Sequence, residues 1–283
     1  FSQMIIWIAS YPKSGNTWLR SIVSSLIYSN DGIFDFSLLK KIKRYPNLEH
    51  FKDLTDDIGN INQIKKFWIL SQTIINLDKE IKFLKTHQLN CKIGEDSFTN
   101  KENTLASIYI VRDPRNLVTS ISNHYNKTIE DAKDFLFTPR FIGGSKKEGG
   151  LKEEDLKTLL GTWAEHYNFW KKNNENFLLI EYEDLLENTR DEILKIINFL
   201  ERITKWKINR KKIDNVIKTT SFQNLKKLEK EGGFDENAYK DKKEKIPFFY
   251  LGPDNKYQKK LHEKIILDIE NKFKKEMKEL KYI

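Results

Sequence analysis

The stretch from Met4 to Ser29, MIIWIASYPKSGNTWLRSIVSSLIYS, constrains the fold more than any other part of the chain. Met4 to Ala9 is a run of apolar and β-favouring residues and reads as a buried strand. A short polar turn with Pro12 and Gly15 follows. Apolar residues then resume at helical spacing from Thr17, at Leu19, Ile22, Val23, Leu26 and Ile27. Strand, tight loop and helix together aim several backbone N–H groups and the positive end of a helix at one point. Such a point binds phosphate.

The loop departs from the nucleoside triphosphate pattern G-x-x-x-x-G-K-[ST], in which a lysine stands between the second glycine and the hydroxyl residue. With Gly15 and Thr17 in the glycine and hydroxyl places, Asn16 takes the lysine place and Ser10 the first glycine place. The nearby lysine, Lys13, lies on the other side of Gly15. The anion cradle is kept and the lysine that embraces β- and γ-phosphates is lost, which points to a smaller phosphate group. The plain alternative is an ordinary βα turn with a solvated Lys13.

Tyr11-Pro12-Lys13-Ser14-Gly15-Asn16-Thr17-Trp18 closely resembles the 5′-phosphosulfate loop of the sulfotransferases that use 3′-phosphoadenosine 5′-phosphosulfate, PAPS. The resemblance implies that Lys13, Ser14, Gly15, Asn16, Thr17 and Trp18 bind the cofactor and that Lys13 also serves the chemistry. It extends by motif order from residue 8 to about 252.

Further along, residues 31–60 read as loops with short helices, and Gln63 to Leu77 as an amphipathic helix. Ile81 to Leu84 reads as a second strand that ends in Lys85-Thr86-His87. A histidine at the carboxyl edge of a strand in an open α/β sheet faces the ligand crevice, and near neutrality it can accept a proton from an attacking hydroxyl. The other reading of such a histidine is structural. The K-T-H triplet resembles the one in cytosolic sulfotransferases, which implies that His87 is the general base and lets Lys85 stabilise the sulfonyl oxygens.

Leu105 to Val111 is the strongest strand signal, running into Arg112-Asp113-Pro114-Arg115 and a helix that begins near Pro114. Arg112 at a strand end and Ser120 two turns into the helix can converge on one anion. The alternative is an ion pair between Arg112 and a neighbour such as Asp113, and Arg115 reads as a surface residue. R-D-P-R-N-L-V-T-S resembles the family's 3′-phosphate motif.

Residues 138–156, rich in Gly, Lys and Glu, read as a mobile loop able to cover an acceptor site, and Leu156 to Lys172 as a helix with core aromatics. Phe177 to Tyr182 reads as another buried strand, with a helix from Thr189. Tyr182-Glu183-Asp184 and Thr220-Ser221-Phe222 resemble family steps that place Tyr182, Thr220 and Phe222 on the adenosine. Near the C-terminus the family carries a basic pair before a glycine. Here Tyr250 and Leu251 precede Gly252, and Tyr257 stands where a tryptophan is usual. One lost charge-assisted phosphate contact costs about 1.5–3 kcal/mol, so Lys256 or a lysine of 226–245 is the expected substitute.

The chain has 283 residues and a net charge of +9, and residues 201–283 hold 23 Lys/Arg against 14 Asp/Glu, so the surplus sits in the last third. A basic third suits a nucleic-acid surface, an anionic membrane, a polyanionic cofactor, or simply a solvated lysine-rich helix face. A single cysteine, Cys91, excludes an internal disulfide. With no apolar run of membrane-spanning length and no signal-peptide pattern, a cytoplasmic protein is expected.

These readings give an α/β fold, a three-layer α/β/α arrangement with a mainly parallel sheet from strands near 4–10, 81–85, 105–111 and 177–182. By resemblance it is P-loop nucleotide-hydrolase-like, a single domain over 1–283 with its core at about 4–200 and a helical, basic, cofactor-covering region at about 201–283. The function implied is PAPS-dependent transfer to a hydroxyl or amine of a small-molecule, lipid or glycan acceptor, without a metal and without nucleic acid. The alternatives are a P-loop kinase, against which Asn16 and the lack of a Walker B aspartate argue, and a basic nucleic-acid-binding protein, which leaves the loop unused.

Overall fold

Strand β1, Ile5–Ala9, has no solvent-exposed residue, as a strand flanked on both edges and covered on both faces requires. In the computed structural model it pairs in parallel with β3, Lys82–Thr86, from Ile5 opposite Lys82 to Ala9 opposite Thr86. On its other edge it pairs in parallel with β4, Thr104–Val111, across a register shift between Ile5 and Ile6. The short β2, Lys43–Arg44, adds to β3, and β5, Phe177–Glu181, completes a five-stranded sheet in the order β2-β3-β1-β4-β5. The structure describes residues 4–143, 156–232, 234, 238–240 and 244–283.

All four strands expected from the sequence are present within a residue or two of their expected ends, and the sheet is mainly parallel with helices around it. The edge strand β2 falls in a stretch expected to be loops and short helices, because two polar residues carry no strand pattern. Two helices differ from expectation. Gln63 to Leu77 is divided among a single α-helical turn at Ile61–Ile64, a 3-10 segment at Lys65–Phe67 and α2 at Trp68–Ile75. The helix expected from Leu156 starts only at Trp163, where Thr162 and Glu165 form a reciprocal capping box; this is α4, Trp163–Lys172. Thr158–Leu159 instead pairs with Phe141–Ile142 as a small antiparallel ribbon. The rest of the expected covering loop, 144–155, lies outside the described residues.

The chain divides into two compact units, Phe1–Tyr11 with Ile42–Tyr109 and Pro139–Leu179, and Pro12–Lys41 with Ile110–Thr138 and Ile180–Ile283. The first is built on aromatic packing: the ring of Trp7 meets Tyr45 at 5.4 Å, Phe98 at 5.3 Å and Trp170 at 6.1 Å. Among its buried polar groups, Trp7 Nε1 donates to Thr104 Oγ1 at 2.9 Å and Gln72 Nε2 to the Phe98 carbonyl at 2.6 Å.

The second unit holds α1 (Asn16–Tyr28), α3 (Pro114–Tyr125), α5 (Tyr182–Glu187) and α6 (Thr189–Thr204). Its C-terminal part is helical as expected, with α7 (Ile213–Thr219), α8 (Phe222–Gly232) and α9 (Glu263–Lys272), and also contains a ribbon of Ala238–Lys240 with Glu244–Ile246. Phe34, Leu39, Leu225, Phe234 and Phe249 form a core of this unit, with Trp18, Phe222 and Phe248 packed against it. Hydroxyls buried in α1 bond back to the preceding turn: Ser21 Oγ donates to the Thr17 carbonyl and Ser25 Oγ to the Ser21 carbonyl, both at 2.8 Å.

Candidate active site

In the second unit the loop before α1 turns through two left-handed residues, Lys13 at φ 67 and Gly15 at φ 102. For Lys13 that conformation costs about 1–2 kcal/mol, a strain found where backbone is shaped for a ligand. For Gly15 no side chain is possible, since a Cβ would sit 2.7 Å from Tyr182 Cδ2. The first turn of α1 has neither an acidic residue nor a side-chain cap, so an anion placed there would meet its N–H groups without a side-chain carboxylate in competition. Ser14 is fully buried and its Oγ has no hydrogen-bond partner among the described residues.

Arg112, at the end of β4, is 6% exposed and lies with its guanidinium 4.0 Å over the ring of Tyr182. Its Nη1 donates to the Lys13 carbonyl and to Ser120 Oγ, each at 3.4 Å, while its buried Nε has no partner among the described residues. Arg112 and Ser120 therefore converge as their spacing implies. The alternative pairing with Asp113 is overturned: Asp113 is occupied by Arg115, whose Nη2 donates to Asp113 Oδ2 at 2.7 Å. Arg115 itself is 4% exposed and also reaches Glu270 and the Tyr282 carbonyl, which corrects its reading as a surface residue.

The remaining second-unit residues form two groups. Trp18 packs edge-on against Tyr182 at 5.5 Å, beside Gly15 and Arg112. Gly252, at φ 53, lies against the Phe222 ring so closely that a Cβ would overlap it, and Phe222 meets Phe249 at 6.2 Å. Thr220 is fully buried, its hydroxyl donated to the Val216 carbonyl at 2.8 Å. Asn16 and Thr17 are buried in the first turn of α1. Lys13 Nζ rests 3.7 Å over Phe248, whose N–H and that of Phe249 are both taken by the carboxylate of Glu229.

Tyr250 and Leu251 line a cavity of about 460 Å³ with Thr119, Ser122, Lys127 and Lys260. Lys127 and Lys260 were not singled out by sequence reasoning, and neither was Asn255. Asn255 is 4% exposed and donates from Nδ2 to Ser120 Oγ at 3.2 Å. Its neighbour Lys256, an expected substitute for the basic pair, is exposed.

In the first unit His87 follows the last residue of β3, with buried Lys85 two residues before it. Its Nδ1 lies 2.8 Å from the Ser10 carbonyl and 3.3 Å from Ser10 Oγ. A carbonyl only accepts, so Nδ1 carries the proton and Nε2 keeps a lone pair. Burial, then the charge of Lys85, push the pKa of His87 well below its usual value. The carbonyl of His87 accepts from His166 Nε2 at 3.0 Å, and His166 Nδ1 accepts from the Tyr109 hydroxyl at 2.8 Å. Burial takes His166 down to about 4, so it is neutral and structural. Among the described residues no group of three or more His, Cys, Asp or Glu could hold a metal, and no helix is long and apolar enough to cross a membrane.

The parallel α/β sheet with helices around it, and in the second unit a glycine-turned loop before α1 and a buried arginine beside a serine, define an α/β protein of the class that places its ligand sites at the carboxyl ends of its strands. A family model, sulfotransferase domain, matches residues 4–281, and the chain belongs to that family. Rat sulfotransferase 1E1 is 29% identical over 224 residues, covering 77% of this chain and 65% of the relative, so the chain spans a little under two thirds of that protein's length. Firefly (Photinus pyralis) luciferin sulfotransferase is 26% identical over 286 residues, covering 95% and 70%. The fold is shared with retinol dehydratase, solved in a complex with retinol and PAP (TM-score 0.60, 18% identity, 98% and 82% covered). It is also shared with mouse sulfotransferase SULT7A1 complexed with PAP (TM-score 0.54, 19% identity, 98% and 84% covered).

Proposed function

We propose that the chain, as one sulfotransferase domain over residues 1–283, moves a sulfuryl group from PAPS to a hydroxyl or amine of a small-molecule, lipid or glycan acceptor. The observation that carries this reading is Arg112, a buried guanidinium stacked on Tyr182 with Ser120 beside it and an unpartnered Nε. A buried charged donor without a partner is costly unless a ligand supplies the acceptor, and a phosphate does so in the geometry of the fork.

In this reading Arg112 and Ser120 hold the 3′-phosphate. The N–H groups at the start of α1, with Lys13, Ser14, Asn16 and Thr17, hold the 5′-phosphosulfate, while Gly15 lets the backbone approach. Tyr182, Trp18, Thr220, Phe222 and Gly252 border the nucleoside. PAPS supplies a sulfuryl group on a phosphate leaving group. His87 Nε2 takes the acceptor proton as the acceptor oxygen bonds to sulfur and the bond from sulfur to the phosphate oxygen breaks. Lys13 offsets the charge that gathers on that oxygen, and Lys85 the charge on the sulfonyl oxygens. A small-molecule acceptor is supported by retinol dehydratase, whose structures carry retinol or androsterone with PAP.

Calorimetric titration with 3′-phosphoadenosine 5′-phosphate (PAP) beside ATP, without magnesium, tests the reading. Tight binding of the bisphosphate and none of ATP is expected. Binding of neither, or preference for ATP, overturns it.

A further inference from the structure

Ser120 departs from what several buried and half-buried hydroxyls on helices do in this protein. Ser21, Ser25, Thr189 and Thr220 each donate to the carbonyl four residues back. The same partner for Ser120 is the carbonyl of Asn116. That carbonyl is taken by Asn255, whose Nδ2 donates to it at 2.7 Å. A backbone carbonyl can only accept, so this contact fixes which end of the Asn255 amide is nitrogen. Thr119 Oγ1, 2.5 Å from Asn255 Oδ1, holds the other end.

The second N–H of the same amide points at Ser120 Oγ, 3.2 Å away, and Arg112 Nη1 reaches that oxygen at 3.4 Å. A hydroxyl oxygen has two lone pairs and one proton. Both lone pairs of Ser120 face donors, and among the described residues its proton goes to no protein atom. Ser120 is half-buried, so the proton points to where a ligand can meet it.

We propose that Asn255 is a positioning residue that turns Ser120 into an obligate donor toward the 3′-phosphate. It does so by occupying both the carbonyl to which the serine would bond back and one of the serine's lone pairs. The device stands in the segment where the basic pair is replaced by Tyr250 and Leu251, and it supplies by orientation part of what that pair supplies by charge. This inference rests on the proposed function and adds selectivity for a nucleotide phosphorylated at the 3′ position.

The test compares PAP with AMP, which lacks the 3′-phosphate, by calorimetry on the wild-type chain and on Asn255→Leu, Ser120→Ala and the double variant. Melting temperatures establish that each is folded. Asn255→Leu is expected to lower PAP affinity about tenfold, the effect of one hydrogen bond to a charged group, while AMP affinity holds. In the Ser120→Ala background the same change is expected to have no further effect on PAP, since it acts through that hydroxyl. Asn255→Asp, which replaces the donor by an acceptor that captures the serine proton, should lose more than Asn255→Leu. Equal losses for PAP and AMP, or additive losses in the double variant, would show a structural role only and overturn the proposal. A wild-type chain that binds PAP no better than AMP would instead sink the reading on which it rests.

Discussion

His87 Nδ1 and the carbonyl oxygen of Ser10 lie 2.8 Å apart, and this contact decides which face of the imidazole is basic. Because Ser10 belongs to the residues that leave β1 and His87 follows β3, two neighbouring parallel strands set the tautomer. His87→Ala is therefore expected to abolish turnover while PAP binding, read by calorimetry, stays within about twofold. Loss of binding together with turnover would remove the base assignment.

The depressed pKa of His87 gives a pH dependence with a definite sign. The neutral base is the active form, so kcat/KM should stay level as pH falls through 6.5, the ordinary histidine value, and decline only below it. Lys85 is the largest charge contribution to that depression. Lys85→Met should raise the His87 pKa and move the acidic limb upward, whatever it does to the plateau rate. An acidic limb that stays put in Lys85→Met would show that the limb belongs to another group.

Gly252→Ala tests the packing of the C-terminal segment. The added Cβ overlaps the Phe222 ring, and φ 53 adds about 1–2 kcal/mol for a residue with a side chain. A lower melting temperature and weaker PAP binding are expected. Trimming the ring with Phe222→Leu should recover part of the melting temperature in the double variant and leave the backbone share. If the two changes simply add, the ring is not what the Cβ meets.

Much of this was legible in the chain because its signals are local. Ile5–Ala9 and Thr104–Val111 are continuous apolar runs, and Arg112 and Ser120 are fixed to one another by a strand end and two helical turns. Other features depend on partners far along the chain. Arg115 meets Glu270 and Tyr282, and nothing in R-D-P-R reveals that those residues return to bury it. Lys43–Arg44 is a strand only because β3 offers an edge. Asn255 acts through Asn116 and Ser120, more than 130 residues back along the chain, and no local pattern around it carries that pairing. The start of α4 is local: Thr162 and Glu165 carry the capping-box spacing, which sets the first turn at Trp163 rather than at Leu156.

The stability of the first unit should fall in mild acid. His166 and His50 are both held by burial at about 4, against 6.5 for an unperturbed histidine. Between those values the unfolded chain binds protons that the folded chain refuses, so unfolding free energy rises with pH. The contribution is whole above 6.5, is lost progressively as pH falls toward 4, and is on the order of 3 kcal/mol for each histidine. Urea unfolding at pH 7, 5.5 and 4.5 should show this slope, and His166→Asn should make it shallower while the His50 share stays. An unchanged slope in that variant would mean that His166 is protonated in the folded chain.

Arg115 gives the sharpest separation between a surface charge and a structural one. Its side chain forks onto Asp113, reaches Glu270, donates to the Tyr282 carbonyl at 2.8 Å and stacks 4.1 Å over Tyr257. Tyr282 in turn donates its hydroxyl to Glu183, which accepts from the N–H of Asp113. Arg115→Met therefore leaves two carboxylates without their cation and is expected to cost about 3–5 kcal/mol, the penalty of breaking a buried pair from one side. Asp113 begins α3 as its N-cap, so the damage should reach Ser120 on the same helix and weaken PAP binding as well. Chemical denaturation measures the first effect and calorimetry the second. A variant as stable as the parent would restore the surface reading, and a destabilised variant with full PAP affinity would confine Arg115 to holding the C-terminal residues in place.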